Sequence, residues 1–331
     1  MNKKILLIYT GGTIGMIKNT AKDTLVPFNF NNIQDIIPEF TTEKIQLDNV
    51  STRQPIDSSN MHPENWIEIV NLIKCNYNNY DSFVVLHGTD TMAYTASAIS
   101  FMLENLKKAV IFTGSQIPIG ERRTDAKENL ITSIEIAASG KINEVCIYFE
   151  DHLYRGNRTV KLNTENFKAF CSPNYPIIAE AGINIKYKNI LQKTKGPFKA
   201  YNKMSDDVAI LKLFPGIKIS TIKAVIDSAK GIVIESFGSG NASTSSKLSD
   251  ILTQAIQNGK ILINTTQCLY GGAFLGNYET SEPFGKSGVI CGKDITTEAA
   301  VTKLMFLLAQ ELSDQEIKIE LQKSLRGEID Y

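Results

Sequence analysis

Short apolar runs alternate with helical patterns along the first 190 residues, and no other feature constrains the fold as strongly. The runs Ile5–Tyr9 and Phe83–Leu86 carry almost no polar residue, as expected of strands buried on both faces of a parallel sheet. Strand-like runs that alternate with helices are the signature of βαβ units. The sequence therefore predicts an α/β protein with an open sheet.

The predicted elements form two groups, separated by a stretch rich in Lys, Gly, Pro, Asn and Asp that we interpret as a linker. Before the linker, strands are predicted at 4–10, 83–87, 109–113 and 144–149, and helices at 63–76, 91–106 and 126–139. After it, strands are predicted at 208–213, 231–236 and 260–264, and helices at 219–229, 246–258 and 298–312. The predicted organisation is a domain at 1–190, a linker at 191–207 and a domain at 208–331.

Composition excludes several classes of function. Basic and acidic residues number 35 each, so nothing supports a general nucleic-acid or membrane surface. No apolar stretch reaches the roughly 18 residues of a membrane span. The five cysteines form no Cys-x-x-Cys pair and the three histidines lie in no zinc or triad motif. We therefore expect free thiols and no metal site.

The first residues have two interpretations. Met1–Lys4, followed by an apolar run, is faintly similar to a signal peptide. Cleavage after that run would remove or disrupt the glycine-rich motif that begins at Thr10. We therefore expect these residues to form the first core strand, and the protein to be cytoplasmic.

The motif Thr10–Gly15 directly follows the first predicted strand. Its glycines would let a ligand approach the backbone closely, and Thr13 could then act as a nucleophile if a base activates it. A phosphate-binding loop fits poorly because neither of the usual glycine patterns is present. A tight structural turn is the third reading, and the motif alone favours it.

The motif His87–Thr91 directly follows the second apolar run. Asp90 or Thr91 could simply cap the next helix. A helix N-terminus also attracts an anion such as a carboxylate, and Asp90 could pair with an ammonium group. These two features together favour binding of an amino acid, which carries both charges. Ligands of open α/β sheets bind outside the carboxyl ends of the strands, so both motifs point to one shared pocket. His87 is expected to end the strand rather than to catalyse.

Two further polar segments each have a structural and a functional interpretation. Pro55–Asn60 could be only a turn, or its serines could bind a carboxylate. Arg155–Lys161 is expected to be a solvated loop, unless Lys161 turns inward beside Thr89 and Asp90 and relays a proton. Burial would lower the pKa of that lysine and a carboxylate would raise it, so the sequence leaves its resting charge open.

Together these motifs resemble those of bacterial cytoplasmic type I L-asparaginases. The resemblance extends over nearly the whole chain, and further segments carry it: Met92–Ser97, Thr113–Gln116, Ser236–Asn241, Thr266–Cys268 and Leu325–Glu328. It implies a two-domain fold, with a larger N-terminal flavodoxin-like doubly wound sheet and a smaller C-terminal α/β domain. It also implies a homodimer, often paired into a tetramer.

The resemblance also implies roles for individual residues. Thr13 matches the nucleophile that forms a β-aspartyl ester with L-asparagine. Thr89, Asp90 and Lys161 match the relay group, in which Asp90 also holds the substrate ammonium. The segment that binds the substrate carboxylate is matched by Asp57, Ser58 and Ser59. The family needs no metal or organic cofactor.

Two positions depart from the family pattern. Leu25 stands where many members carry a tyrosine that assists the nucleophile, so no tyrosine partner of Thr13 can be assigned. Glu235 stands where some members use an arginine to bind asparagine at an activating site, and its carboxylate would repel that ligand. We therefore expect activation by asparagine to be weak or absent.

Two other functions remain open from the sequence. An amidotransferase subunit acting on glutamyl-tRNA resembles asparaginases, but it carries an extra N-terminal domain, for which we expect no room before Thr10. A non-catalytic amino-acid sensor would explain the missing tyrosine but would not need the relay group around Lys161. Glutamine is expected to be at most a weak side substrate.

Overall fold

The computed structural model describes residues 3–19, 24–27, 45–189, 196–274 and 282–330. It divides into two compact units, Met1–Asn202 and Lys203–Tyr331, and this division falls within the predicted linker 191–207. Part of that stretch is not a simple linker, since Lys199–Ala200 forms a short strand paired with Leu103–Glu104. Residues 191–195 of the predicted linker lie outside the described ranges.

The N-terminal unit contains fourteen described strands, most of them short. They are β1 (Lys3–Tyr9), β2 (Met16–Asn19), β3 (Thr24–Pro27), β4 (Ile45–Ser51), β5 (Ser82–Leu86), β6 (Leu103–Glu104), β7 (Val110–Thr113), β8 (Val145–Phe149), β9 (His152–Arg155), β10 (Val160–Lys161), β11 (Phe170–Cys171), β12 (Ala179–Ala181), β13 (Ile185–Tyr187) and β14 (Lys199–Ala200). β4 was not predicted, because Asp48 and Asn49 interrupt the apolar residues of Ile45–Ser51.

Eight of these strands form one sheet in the order β13-β12-β9-β8-β7-β5-β1-β4. The five strands from β8 to β4 are parallel, whereas β9, β12 and β13 are antiparallel. Numbered along the chain, the parallel strands have the spatial order 2-1-3-4-5, which is the flavodoxin-like arrangement. The predicted fold class is therefore confirmed, with an antiparallel extension that the sequence did not indicate.

Among the described residues, three helices flank this sheet: α1 (Pro63–Asn76), α2 (Met92–Met102) and α3 (Ala126–Ala138). Leu130 of α3 shares a buried cluster with Leu7 and Val84, on one face of the sheet. Because side chains alternate along a strand, Ile8 and Val85 face the opposite side, where they are also fully buried. Helix α2 ends four residues before the predicted boundary, since the chain enters strand β6 at Leu103.

The C-terminal unit is a four-stranded parallel sheet with helices. Its strands are β15 (Val208–Lys212), β16 (Gly231–Ser236), β17 (Ile261–Thr266) and β18 (Ile290–Cys291), in that order. Its helices are α4 (Ile219–Asp227), α5 (Ser246–Gln257), α6 (Glu282–Ser287), α7 (Thr297–Leu308) and α8 (Asp314–Gln322). Helices α6 and α8 were not predicted.

A buried ion pair ties the end of the chain to helix α7. Lys303 Nζ lies 2.6 Å from Glu328 Oε1, and both side chains are fully inaccessible to solvent. The ammonium also donates to the Leu321 carbonyl oxygen at 2.9 Å, and the carboxylate accepts the Leu325 and Arg326 N–H groups. The charges are therefore neutralised and hydrogen-bonded inside the unit, as buried charges require.

Within the described ranges, no helix combines the length and apolarity needed to cross a membrane. All five cysteines are free thiols.

Candidate active site

The two threonine motifs emerge side by side from neighbouring strands. β1 and β5 are parallel partners, with Tyr9 opposite Leu86 at their carboxyl ends. In a sheet of this order, the junction between the first and third strands is the switch point at which ligands bind. The sequence prediction of one shared pocket is consistent with this placement.

Glycines bring the two loops into direct backbone contact. A Cβ atom on Gly12 would lie 2.4 Å from the Gly88 nitrogen, and Gly12 has a φ of +84°. Thr13 follows as the first residue of a 3₁₀ turn, Thr13–Gly15, and is half-buried. Thr13 and Thr89 therefore each come one residue after a glycine at this contact.

The Asp57 loop is anchored to the same strand end. The Ile56 N–H donates to the Thr10 carbonyl oxygen at 2.9 Å. The Asp57 carboxylate accepts the Ser59 N–H at 2.8 Å and the Ser59 hydroxyl at 2.7 Å. These two hydrogen bonds, the backbone one first, lower the pKa of Asp57 below its ordinary value.

Ser58 connects this loop to the second threonine motif. Its carbonyl oxygen accepts the Thr91 hydroxyl at 2.7 Å. Its hydroxyl oxygen would lie only 2.5 Å from a Cβ atom on Gly88, and Ser58 is itself buried. Three segments that are far apart in sequence therefore converge around Gly88.

The structure brings the predicted relay residues together. Lys161 belongs to β10, which pairs with β11, and its ammonium donates to Thr89 Oγ1 at 2.9 Å and to Asp90 Oδ1 at 2.5 Å. The Lys161 side chain is 17% exposed, whereas that of Asp90 is 62% exposed. Lys161 thus turns inward, as the functional interpretation of this loop required.

The expectation that the arginine loop is solvated was wrong. Arg155 Nε lies 2.7 Å from Glu144 Oε2, in a pair with side chains 4% and 7% exposed. The Arg155 guanidinium stacks 4.0 Å above the Tyr175 ring, and Arg158 is also buried. These contacts stabilise the turn that leads to Lys161.

The sequence reading assigned no role to Gln116, which contacts the relay. Thr89 Oγ1 donates to Gln116 Oε1 at 3.3 Å. The Gln116 amide nitrogen donates to the carbonyl oxygens of Thr164 and Asn166 at 3.1 and 3.2 Å, and these two acceptors fix which end of the amide faces Thr89. The sequence could have indicated Gln116 as a site residue, because it follows the carboxyl end of β7, and ligands of open α/β sheets bind at such strand ends.

His87 is fully buried at the end of β5. Its Nδ1 lies 2.7 Å from the Gly88 carbonyl oxygen, and its ring meets Phe112 edge-on at 6.0 Å between centroids. Burial lowers the pKa of His87 to about 4, so the imidazole is neutral near pH 7.

The sequence assigns no tyrosine partner to Thr13, because Leu25 occupies the position usual in the family. Leu25 lies in β3, opposite Lys18 of β2. Tyr9 lies against the Thr13–Gly15 turn, where its hydroxyl donates to the Gly15 carbonyl oxygen at 3.4 Å, and burial raises its pKa. This contact supports the Thr13–Gly15 turn.

In the part of the chain that the structure describes, no three His, Cys, Asp or Glu side chains gather as metal ligands.

Comparisons place this geometry in a known family. Residues 4–193 match the family model "Asparaginase, N-terminal", and residues 207–319 match "Glutaminase/Asparaginase C-terminal domain". The chain therefore belongs to the asparaginase family.

Individual relatives extend the match over the full length. L-asparaginase 1 of Escherichia coli (strain K12) is 40% identical over 99% of this chain and 98% of its own. The crystal structure of L-asparaginase I from Vibrio cholerae matches with a TM-score of 0.92, at 40% identity over 100% of both chains. The thermostable L-asparaginase from Thermococcus kodakarensis matches with a TM-score of 0.94, at 31% identity over 99% of both chains.

Proposed function

We propose that this chain is an L-asparagine amidohydrolase that produces L-aspartate and ammonia, with Thr13 as its nucleophile. The observation that carries the proposal is the convergence of the Thr13 and Thr89 loops beside Lys161, whose Nζ lies 2.9 Å from the Thr89 hydroxyl oxygen. Full-length similarity to L-asparaginases supports the choice of substrate.

The proposed reaction has two halves. The Thr13 hydroxyl oxygen attacks the side-chain amide carbon. Its proton passes to Thr89, whose own proton goes to Lys161 in its neutral amine form. The carbon–nitrogen bond then breaks, and the nitrogen takes this proton back from Lys161 and departs as ammonia. Water hydrolyses the resulting β-aspartyl ester, which releases aspartate and restores the Thr13 hydroxyl. Backbone N–H groups near Thr13 and Thr89 would stabilise the oxyanion in both halves.

The remaining residues would hold the two ends of the amino acid. Asp90 keeps one carboxylate oxygen on Lys161, and its 62% exposure leaves it accessible to a substrate ammonium. The Asp57–Ser59 loop contacts Gly88 through Ser58, and we assign it to the substrate carboxylate because it matches the segment that binds this group in the family. Asp90 and the Asp57–Ser59 loop would bind the ammonium and the carboxylate of one amino acid at a fixed spacing. They therefore favour asparagine over an amide that lacks these two charged groups.

The direct test is ammonia release from L-asparagine and L-glutamine by the parent and by Thr13→Ala. Thr52→Val serves as a control, because Thr52 lies at the neighbouring strand end and its hydroxyl only donates to the Tyr9 carbonyl oxygen. We expect release by the parent and the control, near-silence in Thr13→Ala, and a β-aspartyl adduct on the Thr13 peptide by mass spectrometry. An active Thr13→Ala variant would contradict the assignment of the nucleophile, and a silent parent that still binds asparagine would favour a sensor.

We also propose that the activating site is weak or absent. Glu235 already accepts the Thr297 hydroxyl at 2.7 Å and lies 3.3 Å from Lys212 Nζ, so its carboxylate has partners and would repel a second carboxylate. We further propose that the protein is cytoplasmic and forms a homodimer or a dimer of dimers. Light scattering after gel filtration would give its molar mass and so distinguish the two oligomers.

A further inference from the structure

Two sets of contacts fix the peptide bond between Gly88 and Thr89: close backbone packing around residues 87 and 88, and a hydrogen bond from the His87 side chain. The backbone packing is tight, because a Cβ on Gly12 would lie 2.4 Å from the Gly88 nitrogen, and a Cβ on Gly114 would lie 2.4 Å from the His87 oxygen. The His87 N–H also donates to the Thr113 carbonyl oxygen at 2.9 Å. This packing fixes the position of the segment, but a peptide plane can still rotate between two fixed Cα atoms.

The His87 side chain removes this remaining freedom. Its Nδ1 lies 2.7 Å from the Gly88 carbonyl oxygen, and a carbonyl oxygen can only accept, so Nδ1 carries a proton. Among the described residues Nε2 meets no hydrogen-bond partner, and the ring is fully buried. A second proton on this ring would be an unpaired buried charge, which is costly. The ring is therefore a neutral donor with a single acceptor.

The orientation of the carbonyl group determines that of the next N–H. No cis peptide bond occurs in the described chain, and in a trans peptide the C=O and N–H bonds point in opposite directions. With the Gly88 oxygen held against the buried imidazole, the Thr89 N–H points away from it.

We infer that His87 is a positioning residue, which uses its Nδ1–H to aim the Thr89 N–H at the carbonyl oxygen of the substrate. This inference rests on the proposed function, since the Thr89 N–H then acts on negative charge that develops during the attack by Thr13. His87 itself touches neither the substrate nor Thr13 in this role.

Three substitutions distinguish this role from simple core filling. The asparagine amide nitrogen is as many bonds from Cα as Nδ1 is, whereas the glutamine nitrogen is one bond further away. We therefore expect His87→Leu and His87→Gln to lower kcat by about 10²-fold, the typical effect of losing one oxyanion donor. His87→Asn should remain within about 10-fold of the parent. KM should change little in all three, because the interaction strengthens only in the transition state.

The tautomer provides a measurement that does not depend on activity. The chain has three histidines, His62, His87 and His152, so ¹⁵N-labelled histidine gives few signals, which single His→Gln variants assign. We expect the His87 ring to carry its proton on Nδ1 and to stay neutral between about pH 5 and 8, the range in which an unperturbed histidine titrates.

Several outcomes would overturn the inference: a proton on Nε2, equal activity of the Asn and Gln variants, or His87→Leu within about 3-fold of the parent. Thermal unfolding of each variant shows whether a loss of activity merely reflects unfolding. A silent parent would contradict the proposed function, whereas an active parent with an active His87→Leu variant would contradict the role of His87 alone.

Discussion

Replacing Gly12 by alanine should separate the two catalytic loops without unfolding the protein. Gly12 has φ +84° and ψ 169°, a region that only glycine adopts readily, so alanine there costs about 1–3 kcal/mol of backbone strain. At about 2–4 °C per kcal/mol for a unit of this size, the melting temperature should fall by roughly 2–12 °C. The folded state should therefore persist at 25 °C.

The loss of activity should come from displacement of the loops, because the folded state persists. The new Cβ would lie 2.4 Å from the Gly88 nitrogen and 2.6 Å from its Cα, so the loops must separate by several tenths of an ångström to about 1 Å. A misplacement of 1 Å between reacting groups can cost about 10²-fold in rate. We therefore expect kcat/KM for L-asparagine to fall by about 10²-fold, as measured by ammonia release.

Gly140→Ala provides the matched control in the same unit. Gly140 also has a positive φ, +66°, but a Cβ there would meet only the flexible end of Lys3, at 3.9 Å. This variant should be destabilised by a similar mechanism and keep its activity. If Gly12→Ala retained kcat/KM within about 3-fold of the parent, or if Gly140→Ala lost as much, the contact between the loops would not determine the rate.

Three further predictions concern the C-terminal unit. Lys303→Met should cost about 3–5 kcal/mol in urea unfolding, because it leaves the Glu328 carboxylate buried and unpaired; Lys230→Met, at an exposed ion pair, should cost no more than about 1 kcal/mol. Burial raises the pKa of Glu298 from 4.5 to about 7, so its contribution to stability is complete below about pH 4.5 and lost as the pH rises through 7. Glu298→Gln should therefore make the melting temperature less dependent on pH between about 4.5 and 7. A variant whose melting temperature falls with pH as steeply as that of the parent would contradict the raised pKa. With Glu235 in place, the rate should rise hyperbolically with asparagine concentration, and a sigmoidal curve would contradict this.

The sequence predicted the features that depend on local patterns. The apolar runs at Ile5–Tyr9 and Phe83–Leu86 became neighbouring parallel strands, because uninterrupted apolar residues are stable only when both faces of a strand are covered. The helix predicted at 63–76 formed with these bounds as α1, and it buries Trp66 and Ile69. Helix α8 was missed because its polar sequence buries only Ile317 and Leu321 at an i,i+4 spacing.

Features that depend on distant partners could not be predicted in this way. A loop with two arginines is typical of a solvated surface, and only the fold reveals that Glu144 and Tyr175 lie where Arg155 needs them. The orientation of Gln116 likewise depends on the Thr164 and Asn166 carbonyl oxygens, about fifty residues further along the chain. No local period or propensity encodes these contacts.

For the same reason, the residues that carry reactive groups were easier to predict than the residues that hold them in position. Thr13, Thr89 and Lys161 carry reactive groups, so their chemistry can be recognised from residue type and motif. His87 and Gln116 act through hydrogen bonds to backbone and hydroxyl groups, and the same residue types could equally fill a core or a surface. Their roles follow only from the atoms that they contact, so substitutions that move a donor by one bond test them more sharply than removal of the side chain.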